Sequence, residues 1–186
     1  MPFGSLWLPV VVSAVAVWIG SAILHMVLKY HKADYKQLAN EEAVAAAVRQ
    51  GSPAPGVYVI PYCPDMSQMK DPAVQKRYAD GPVALITVMR NGLPRLGKYL
   101  FQWFLFCVLV SFITGTVSRH ALHPGEEAHH VFHFVILVAF AGYGLGYIQD
   151  SIWKAIPWSN TLRSLIDAVI YAAITGGVFV WLWPAS

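Results

Sequence analysis

The segment Leu162–Trp183, LRSLIDAVIYAAITGGVFVWLW, decides the fold expected of this chain. Its length and apolar composition suit a helix that crosses a lipid bilayer, which takes about 20 apolar residues. Small residues recur on it at every fourth position, at Ala168, Ala172 and Gly176. Because that spacing forms a groove in which a second helix packs closely, we predict that this segment is the packing centre of a small membrane-helix bundle.

The composition of the whole chain is typical of an integral membrane protein. Apolar residues make up 56% of the 186 residues, and charged residues make up only 12%, about half the usual share in soluble proteins. Four long apolar segments occur, at residues 5–28, 98–118, 128–148 and 162–183. The predicted fold class is therefore an all-α membrane protein, with four transmembrane helices and a small α+β insert between helices 1 and 2.

The predicted organisation has three parts, which are a first transmembrane helix at 1–29, the insert at 30–97, and transmembrane helices 2–4 at 98–186. Capping and strand-forming residues predict four elements in the insert: a helix from Asn40 to Gly51, a strand at 57–62, a helix from Asp71 to Asp80 and a strand at 83–89. So small a segment cannot hold a large core alone. We expect it to lean on the membrane surface or on a partner.

Basic residues are distributed very unequally among the connecting segments. Ten of them lie between Lys29 and Lys98, and Lys154 and Arg163 fall on the same side, whereas the link between the second and third spans holds only Arg119. Segments rich in Lys and Arg stay in the cytoplasm. The insert is therefore expected to be cytoplasmic, with both termini outside and the chain in the bacterial inner membrane.

Four polar residues lie in or at the edges of the predicted spans: His25, Asp150, Arg163 and Asp167. An ionisable side chain at membrane depth needs a partner. Arg163 and Asp167 are one helical turn apart and are expected to pair, while His25 is expected to find Asp34 or Asp150. Such residues serve either as an ion pair that eases insertion of the helix or as a relay for protons or ions.

A cluster of histidines and glutamates leads into the third span, and its members are His120, His123, Glu126, His129, His130 and His133. A helix that starts at Pro124 would place Glu126/His129 and Glu127/His130 at E-x-x-H spacing on one face. Zinc and di-iron sites use this spacing. The cluster is the predicted site for a transition metal or haem, with pH sensing or a structural role at the membrane interface as the alternatives.

Several short motifs resemble those of a family of small bacterial inner-membrane proteins. They are HKADYKQL at 31–38, GVYVIPYC at 56–63, WSNTLRSLID at 158–167 and YAAITGG at 171–177. The resemblance covers most of the chain and implies a four-span inner-membrane protein. It brings no assigned activity and no catalytic residue with it.

No nucleophile elbow, phosphate loop, dinucleotide fingerprint or nucleic-acid motif is present in the sequence, which disfavours an enzyme and a nucleic-acid partner. The first functional prediction is a structural or accessory subunit that assembles with itself or with other membrane subunits. Its contact faces would be the small residues of the fourth span together with the GxxxG of Gly142 and Gly146. The alternatives are a metal- or haem-binding protein that uses the histidine cluster, and a small oligomeric transporter or channel.

Overall fold

The computed structural model describes residues 3–185 and divides the chain into two units. Residues 3–36 and 95–185 form the membrane unit, and residues 37–94 form the insert. The predicted fold class is confirmed, because four long apolar helices are present and a small two-stranded sheet lies between the first and the second.

The elements in chain order are α1 (Trp7–Ala22), α2 (Glu41–Gln50), β1 (Gly56–Ile60), α3 (Pro72–Asp80), β2 (Ala84–Val88), α4 (Leu96–Ala121), α5 (Ala128–Lys154) and α6 (Trp158–Trp181). Within residues 3–185, the helices long and apolar enough to cross a membrane are Trp7–Leu28, Leu96–Ala121, Ala128–Lys154 and Trp158–Trp181. The chain is accordingly a multi-pass membrane protein. α5 and α6 extend beyond the predicted spans, so only Ala155–Pro157 connects them.

α5 and α6 form the most extensive helix pair in the bundle. A Cβ atom placed on Gly144 would lie 3.0 Å from the Cβ of Ala168, and one placed on Gly176 would lie 3.0 Å from the ring of Phe132. Ala172 is fully buried in the same core. The small-residue groove of α6 therefore receives α5 of the same chain, because the absence of bulky side chains lets the two backbones approach closely.

The two glycines of the GxxxG in α5 have different surroundings. A Cβ atom on Gly142 would lie 2.9 Å from Val110 of α4, so this position needs a glycine for close packing. Gly146 has open space where a Cβ atom would be, and its position is exposed. Only the first of the two supports a helix contact inside this chain.

α1 packs against α4 and α6 and is tied to α4 by two tryptophan hydrogen bonds. The indole N–H of Trp103 donates to the hydroxyl of Ser21 at 2.7 Å, and that of Trp18 donates to the carbonyl of Leu100 at 3.1 Å. An indole N–H inside a membrane protein must find an acceptor in the protein. These bonds fix the end of α1 against the start of α4, next to the site described below.

The insert has the predicted order of helix, strand, helix and strand. β1 and β2 pair antiparallel, with a register that runs from Gly56 opposite Val88 to Ile60 opposite Ala84. β1 ends before Pro61, which has no N–H to donate to a strand neighbour.

The two predicted helix caps of the insert have different outcomes. The carboxylate of Asp71 accepts a hydrogen bond from the backbone N–H of Ala73 at 2.8 Å and caps α3 as predicted. Asn40 precedes α2 but makes no side-chain capping bond, so its predicted role is wrong. The first turn of α2 contains Glu41 and Glu42, which suit the positive end of the helix dipole.

Candidate functional site

The end of α1 brings two histidines together. Over Ile23–Leu28 the helix widens to hydrogen bonds from residue i to i+5, a rare geometry that is frequent at functional sites. Lys29 then adopts a left-handed backbone conformation with φ 54°, and a short helical turn over Tyr30–Asp34 packs against α6. As a result His25 and His31 stack, with ring centroids 4.5 Å apart and ring planes 5° apart.

α6 supplies the carboxylate that both histidines face. Asp167 is only 4% exposed. Nε2 of His31 lies 2.7 Å from Oδ2 of Asp167, and Nε2 of His25 lies 3.7 Å from the same oxygen. The second carboxylate oxygen, Oδ1, is buried without a hydrogen-bond partner. Two ring nitrogens therefore converge on one buried carboxylate that has unused acceptor capacity.

Nδ1 of each imidazole, the nitrogen that does not face Asp167, lies within hydrogen-bond distance of an acceptor. Nδ1 of His31 lies 2.5 Å from Oδ2 of Asp34, and Nδ1 of His25 lies 3.0 Å from the backbone carbonyl of Ser21. A carbonyl oxygen only accepts, so Nδ1 of His25 carries a proton and donates it to this bond. Nε2 of the neutral His25 ring then directs a lone pair towards Asp167. In a neutral His31 ring an ionised Asp34 selects the same tautomer, which leaves Nε2 with a lone pair 2.7 Å from Oδ2 of Asp167.

Asp34 is itself fixed by residues at the start of α6. Nη1 of Arg163 lies 2.5 Å from Oδ1 of Asp34, and the side-chain amide of Asn160 donates to the Asp34 carbonyl at 3.1 Å. Arg163 thus pairs with Asp34 rather than with Asp167, the partner that their one-turn spacing predicts. The reason is that the turn after α1 places Asp34 against Arg163, while the two histidines engage Asp167.

The charges of this centre do not balance without an added cation. With both imidazoles neutral, the positive Arg163 offsets only one of the two carboxylates of Asp34 and Asp167, which leaves a net charge of −1. The lone pair on Nε2 of His25 and the carboxylate of Asp167 also face each other across 3.7 Å. A proton on Nε2 of His31, which would then donate to Asp167 across 2.7 Å, balances the charge but leaves the His25 lone pair facing the carboxylate. A metal ion between the ligand atoms would correct both.

A cavity of about 560 Å³ borders this centre. One wall contains His25, His31 and Asp167, and most of the remaining lining is apolar or aromatic, including Trp103. Tyr171 also lines the cavity, and its hydroxyl is buried without a hydrogen-bond partner. The cavity therefore combines an apolar surface with polar atoms that make no hydrogen bond within the described part of the chain.

The predicted histidine–glutamate cluster is arranged differently from its expected pattern. α5 begins at Ala128, later than predicted, so Glu126 and Glu127 precede the helix. Glu126 lies 3.1 Å from His130 and Glu127 lies 3.2 Å from His129, in place of the E-x-x-H pairs. The hydrogen bond from His130, followed by that from the backbone N–H of His123, lowers the pKa of Glu126 below its usual value.

The remaining members of that cluster make contacts of a structural kind. Nε2 of His120 accepts a hydrogen bond from Arg119 at 3.3 Å, and the carbonyl of His123 accepts one from the indole of Trp183 at 3.0 Å. The ring of His133 lies edge-on to that of His129, with centroids 6.4 Å apart. The structure thus brings His129 and His130 together with Glu127, while His120, His123 and His133 lie outside that group.

Within residues 3–185, two groups of at least three His, Cys, Asp or Glu residues have ligand atoms close enough to share a metal ion. One is Glu127, His129 and His130, and all three are exposed. The other is His25, His31 and Asp167, whose carboxylate is buried. The second is the better site, because its carboxylate is buried, His31 is half-buried, and both histidines have the supporting contacts described above.

Asp150 does not join this centre, although the sequence offers it as a partner of His25. Its carboxylate pairs with Lys154 at 2.7 Å on an exposed part of α5. Conversely, the candidate site residues predicted from the sequence leave out His31, and Asp34 is predicted only as a possible partner of His25. Their H-x-x-D spacing was the available signal, since residues three apart meet within one helical turn.

Comparisons with known proteins return no relative. No protein-family model matches the chain, and neither a curated protein nor a solved structure matches it. The geometry and chemistry of the centre formed by His25, His31 and Asp167 are therefore the basis on which a function is proposed.

Proposed function

We propose that this chain is a bacterial inner-membrane protein that binds a divalent transition-metal ion through His25, His31 and Asp167. The observation that carries the proposal is the convergence of their three ligand atoms, which all lie within 4.8 Å of one another. Histidines that bind metals usually donate their other ring N–H to a carboxylate or a backbone carbonyl. Asp34 and the carbonyl of Ser21 are acceptors of these two kinds.

A metal ion accounts for more of this arrangement than a protonated histidine does. An imidazolium on His31 that donates to both Asp34 and Asp167 would balance the charge, but it leaves the lone pair of His25 facing Asp167 at 3.7 Å. Two imidazolium rings stacked 4.5 Å apart would repel each other. A single ion between the nitrogens of His25 and His31 and the carboxylate satisfies both lone pairs at once and leaves both Nδ1–H bonds intact.

The donor set of two imidazoles and one carboxylate favours metals of intermediate softness. Zinc, iron(II), cobalt(II) and nickel(II) bind such ligands, whereas calcium and magnesium prefer oxygen ligands alone. Three protein ligands leave at least one coordination position for water or a further ligand. Asp34, itself paired with Arg163, would orient His31.

The proposed location is the bacterial inner membrane with the insert in the cytoplasm and both termini outside. The support is the distribution of basic residues, of which ten lie from Lys29 to Lys98 and only Arg119 lies between the second and third spans. Cys63 of the insert tests the orientation. A membrane-impermeant maleimide should label it in inverted vesicles but not in intact spheroplasts, with Cys63→Ser as the blank; the opposite result would reverse the topology.

Metal titration of the purified protein tests the proposed function. The wild-type chain, stripped with a chelator and refilled, should bind one zinc or cobalt ion per chain. His31→Ala and His25→Ala should each weaken binding by more than about 100-fold, since removing a ligand costs more than removing its supporting group. His133→Ala is the matched control and should bind like the wild type. Equal binding by all four folded proteins, or none by the wild type, would reject the proposal.

A second candidate function is an accessory subunit whose insert binds a partner. Across residues 37–94, every one of which is described, only Pro61 is buried. Apolar side chains there remain exposed, with Tyr62 at 68%, Met89 at 70% and Leu93 at 94%. Apolar side chains exposed in this number in a small unit favour a surface that a partner covers, and so the insert is the candidate contact for a partner protein or the membrane surface.

Assembly with a partner is tested by the mass of the protein in mild detergent. The accessory-subunit hypothesis predicts a complex that Tyr62→Asp or Leu93→Asp releases, because a charge enters the apolar contact. A homo-oligomer through membrane helices would instead be released by Gly146→Leu or Gly177→Leu, since both positions have open space in the single chain. A monomer that carries no partner would remove this candidate.

A further inference from the structure

The cavity beside the proposed metal site lies at one end of the membrane-spanning helices. Its lining comes from the end of the first span, the turn that follows it, the start of α4, the last third of α5 and the first two-thirds of α6. Asp167 lies about 14 Å along the helix axis from Trp158, at about 1.5 Å per residue. A molecule in this cavity would therefore contact both the ion and the apolar part of the bilayer.

Exposed lining residues show where the cavity opens. Met26 of the first span is 61% exposed, and Leu96 and Tyr99 of α4 are 60% and 54% exposed. In membrane-spanning helices such apolar side chains contact lipid. The opening is consequently between the first span and α4, on a surface that acyl chains reach.

The net charge of the metal-loaded centre favours an anionic ligand. A divalent ion together with Arg163, Asp34 and Asp167 gives a net charge of +1, since the two positive contributors carry three charges and the carboxylates carry two. A buried net charge is unfavourable, so an anionic oxygen ligand at the open coordination position would neutralise it. Lys29 and Lys98 are exposed at the neighbouring helix ends and attract anionic head groups to the same side.

The size and lining of the cavity fit a ligand with an apolar tail. Its volume of about 560 Å³ lies within the usual range for small-molecule sites, and such sites are mostly apolar with a few placed polar groups. Leu100 and Trp103 supply apolar surface, and the hydroxyl of Tyr171 is a donor with no partner among residues 3–185. An anionic oxygen beside the ion would accept this unused hydrogen bond.

We infer that the cavity binds an anionic amphiphile from the bilayer, with its head-group oxygen on the metal ion and its hydrocarbon tail against α1 and α4. The inference rests on the proposed metal site and adds to it the class of ligand that binds there. Phosphate and carboxylate head groups share the chemistry required, so both belong among the probes.

Cobalt(II) provides the readout, because its visible spectrum changes when a ligand enters its coordination sphere. The stripped protein is first loaded with cobalt and the bound metal is measured, then it is titrated with dioctanoyl phosphatidic acid, with laurate, with dioctanoyl phosphatidylcholine and with inorganic phosphate. We expect a saturable spectral change with phosphatidic acid, with laurate or with both. We expect no such change with phosphatidylcholine, or with inorganic phosphate at the same concentration.

Two variants with matched controls complete the test. Leu100→Trp fills the cavity and should weaken amphiphile binding by at least about 10-fold, while cobalt binding is unchanged. Its control is Leu137→Trp, at a position on α5 that is 69% exposed, which should change neither amphiphile binding nor cobalt binding. Tyr171→Phe keeps the shape and should weaken binding by about 10-fold, because a hydrogen bond to a charged group is lost.

Three outcomes overturn the inference. The first is no spectral change of the cobalt-loaded protein with either anionic amphiphile. The second is amphiphile affinity that Leu100→Trp and Tyr171→Phe both leave unchanged. The third is an equal spectral change with inorganic phosphate alone. None of these outcomes contradicts the proposed metal site. Failure of the wild-type chain to take up cobalt removes the proposed function first and the amphiphile site with it, and the metal measurement identifies that case.

Discussion

The substitution Asp34→Asn separates a metal site from a simple ion-pair network. The Asp34 side chain is 13% exposed and touches His31 with one oxygen and Arg163 with the other. Asparagine keeps the size of the side chain but removes the negative charge that orients and polarises His31. Loss of such a supporting carboxylate weakens metal binding by about 10–100-fold, or about 1.4–2.7 kcal/mol.

The same substitution also leaves Arg163 without its charged partner. A fully buried pair broken on one side loses about 3–5 kcal/mol, and since the Arg163 side chain is 25% exposed, solvent reduces this to about 1–3 kcal/mol. The metal-free protein should therefore be moderately destabilised. Affinity and stability are measured separately, the first by chelator competition for zinc and the second by thermal unfolding of the stripped protein.

Asp150→Asn is the control for Asp34→Asn, because it removes a carboxylate from an exposed pair with Lys154. A surface pair contributes about 0–1 kcal/mol, so neither zinc affinity nor unfolding should change appreciably. The reasoning fails if Asp34→Asn binds zinc as tightly as the wild type. It also fails if the control lowers zinc affinity by the same factor.

Three further predictions follow from packing and protonation. Gly176→Ala should destabilise the bundle by about 1 kcal/mol, because the new Cβ meets Phe132 at 3.0 Å. Gly177→Ala enters open space and should be neutral or stabilising. Unfolding in detergent that ranks the two variants in the opposite order would contradict the α5–α6 packing. The pKa of Glu126 should lie below 4.5 and should rise towards 4.5 in His130→Ala. The stability that ionised Glu126 contributes is therefore present above pH 4.5 and is lost as the pH falls through the lowered folded-state pKa. An NMR titration of His130→Ala in which the pKa of Glu126 does not rise would refute the pairing. Metal affinity should decrease as the pH is lowered, because both imidazole ligands must be deprotonated, and a calorimetric titration with no pH dependence would speak against histidine ligation.

The membrane helices were predictable from the sequence because their signal is local. Each span is a long apolar run, and no tertiary contact is needed to recognise it. The small-residue groove of α6 was equally readable as a packing face, although its partner was not. That α5 fills the groove depends on the short connection at Ala155–Pro157, which makes the two helices antiparallel neighbours.

Element boundaries explain why the pairings within the predicted histidine cluster differ from the expected ones. A helix that starts at Pro124 gives E-x-x-H pairs, whereas the observed start at Ala128 pairs Glu126 with His130 and Glu127 with His129. Helix starts are poorly fixed by sequence when several residues are suitable caps. A shift of four residues was enough to change every predicted pairing in this cluster.

The metal centre was only partly visible in the sequence. Asp167 and His25 stand out because an ionisable residue in an apolar segment requires a partner. The partner of Asp167 is His31, which lies 136 positions away in the chain. Their contact depends on the turn at Lys29, a left-handed residue that is not glycine, and no turn motif in the sequence marks it.

X-ray absorption spectroscopy of the zinc-loaded chain tests the metal centre most directly. The account predicts two imidazole nitrogens at about 2.0–2.1 Å together with at least one oxygen ligand, and loss of the imidazole scattering when His25 and His31 are both replaced by alanine. Zinc surrounded by oxygen alone, or an imidazole signal that survives the double replacement, would contradict it.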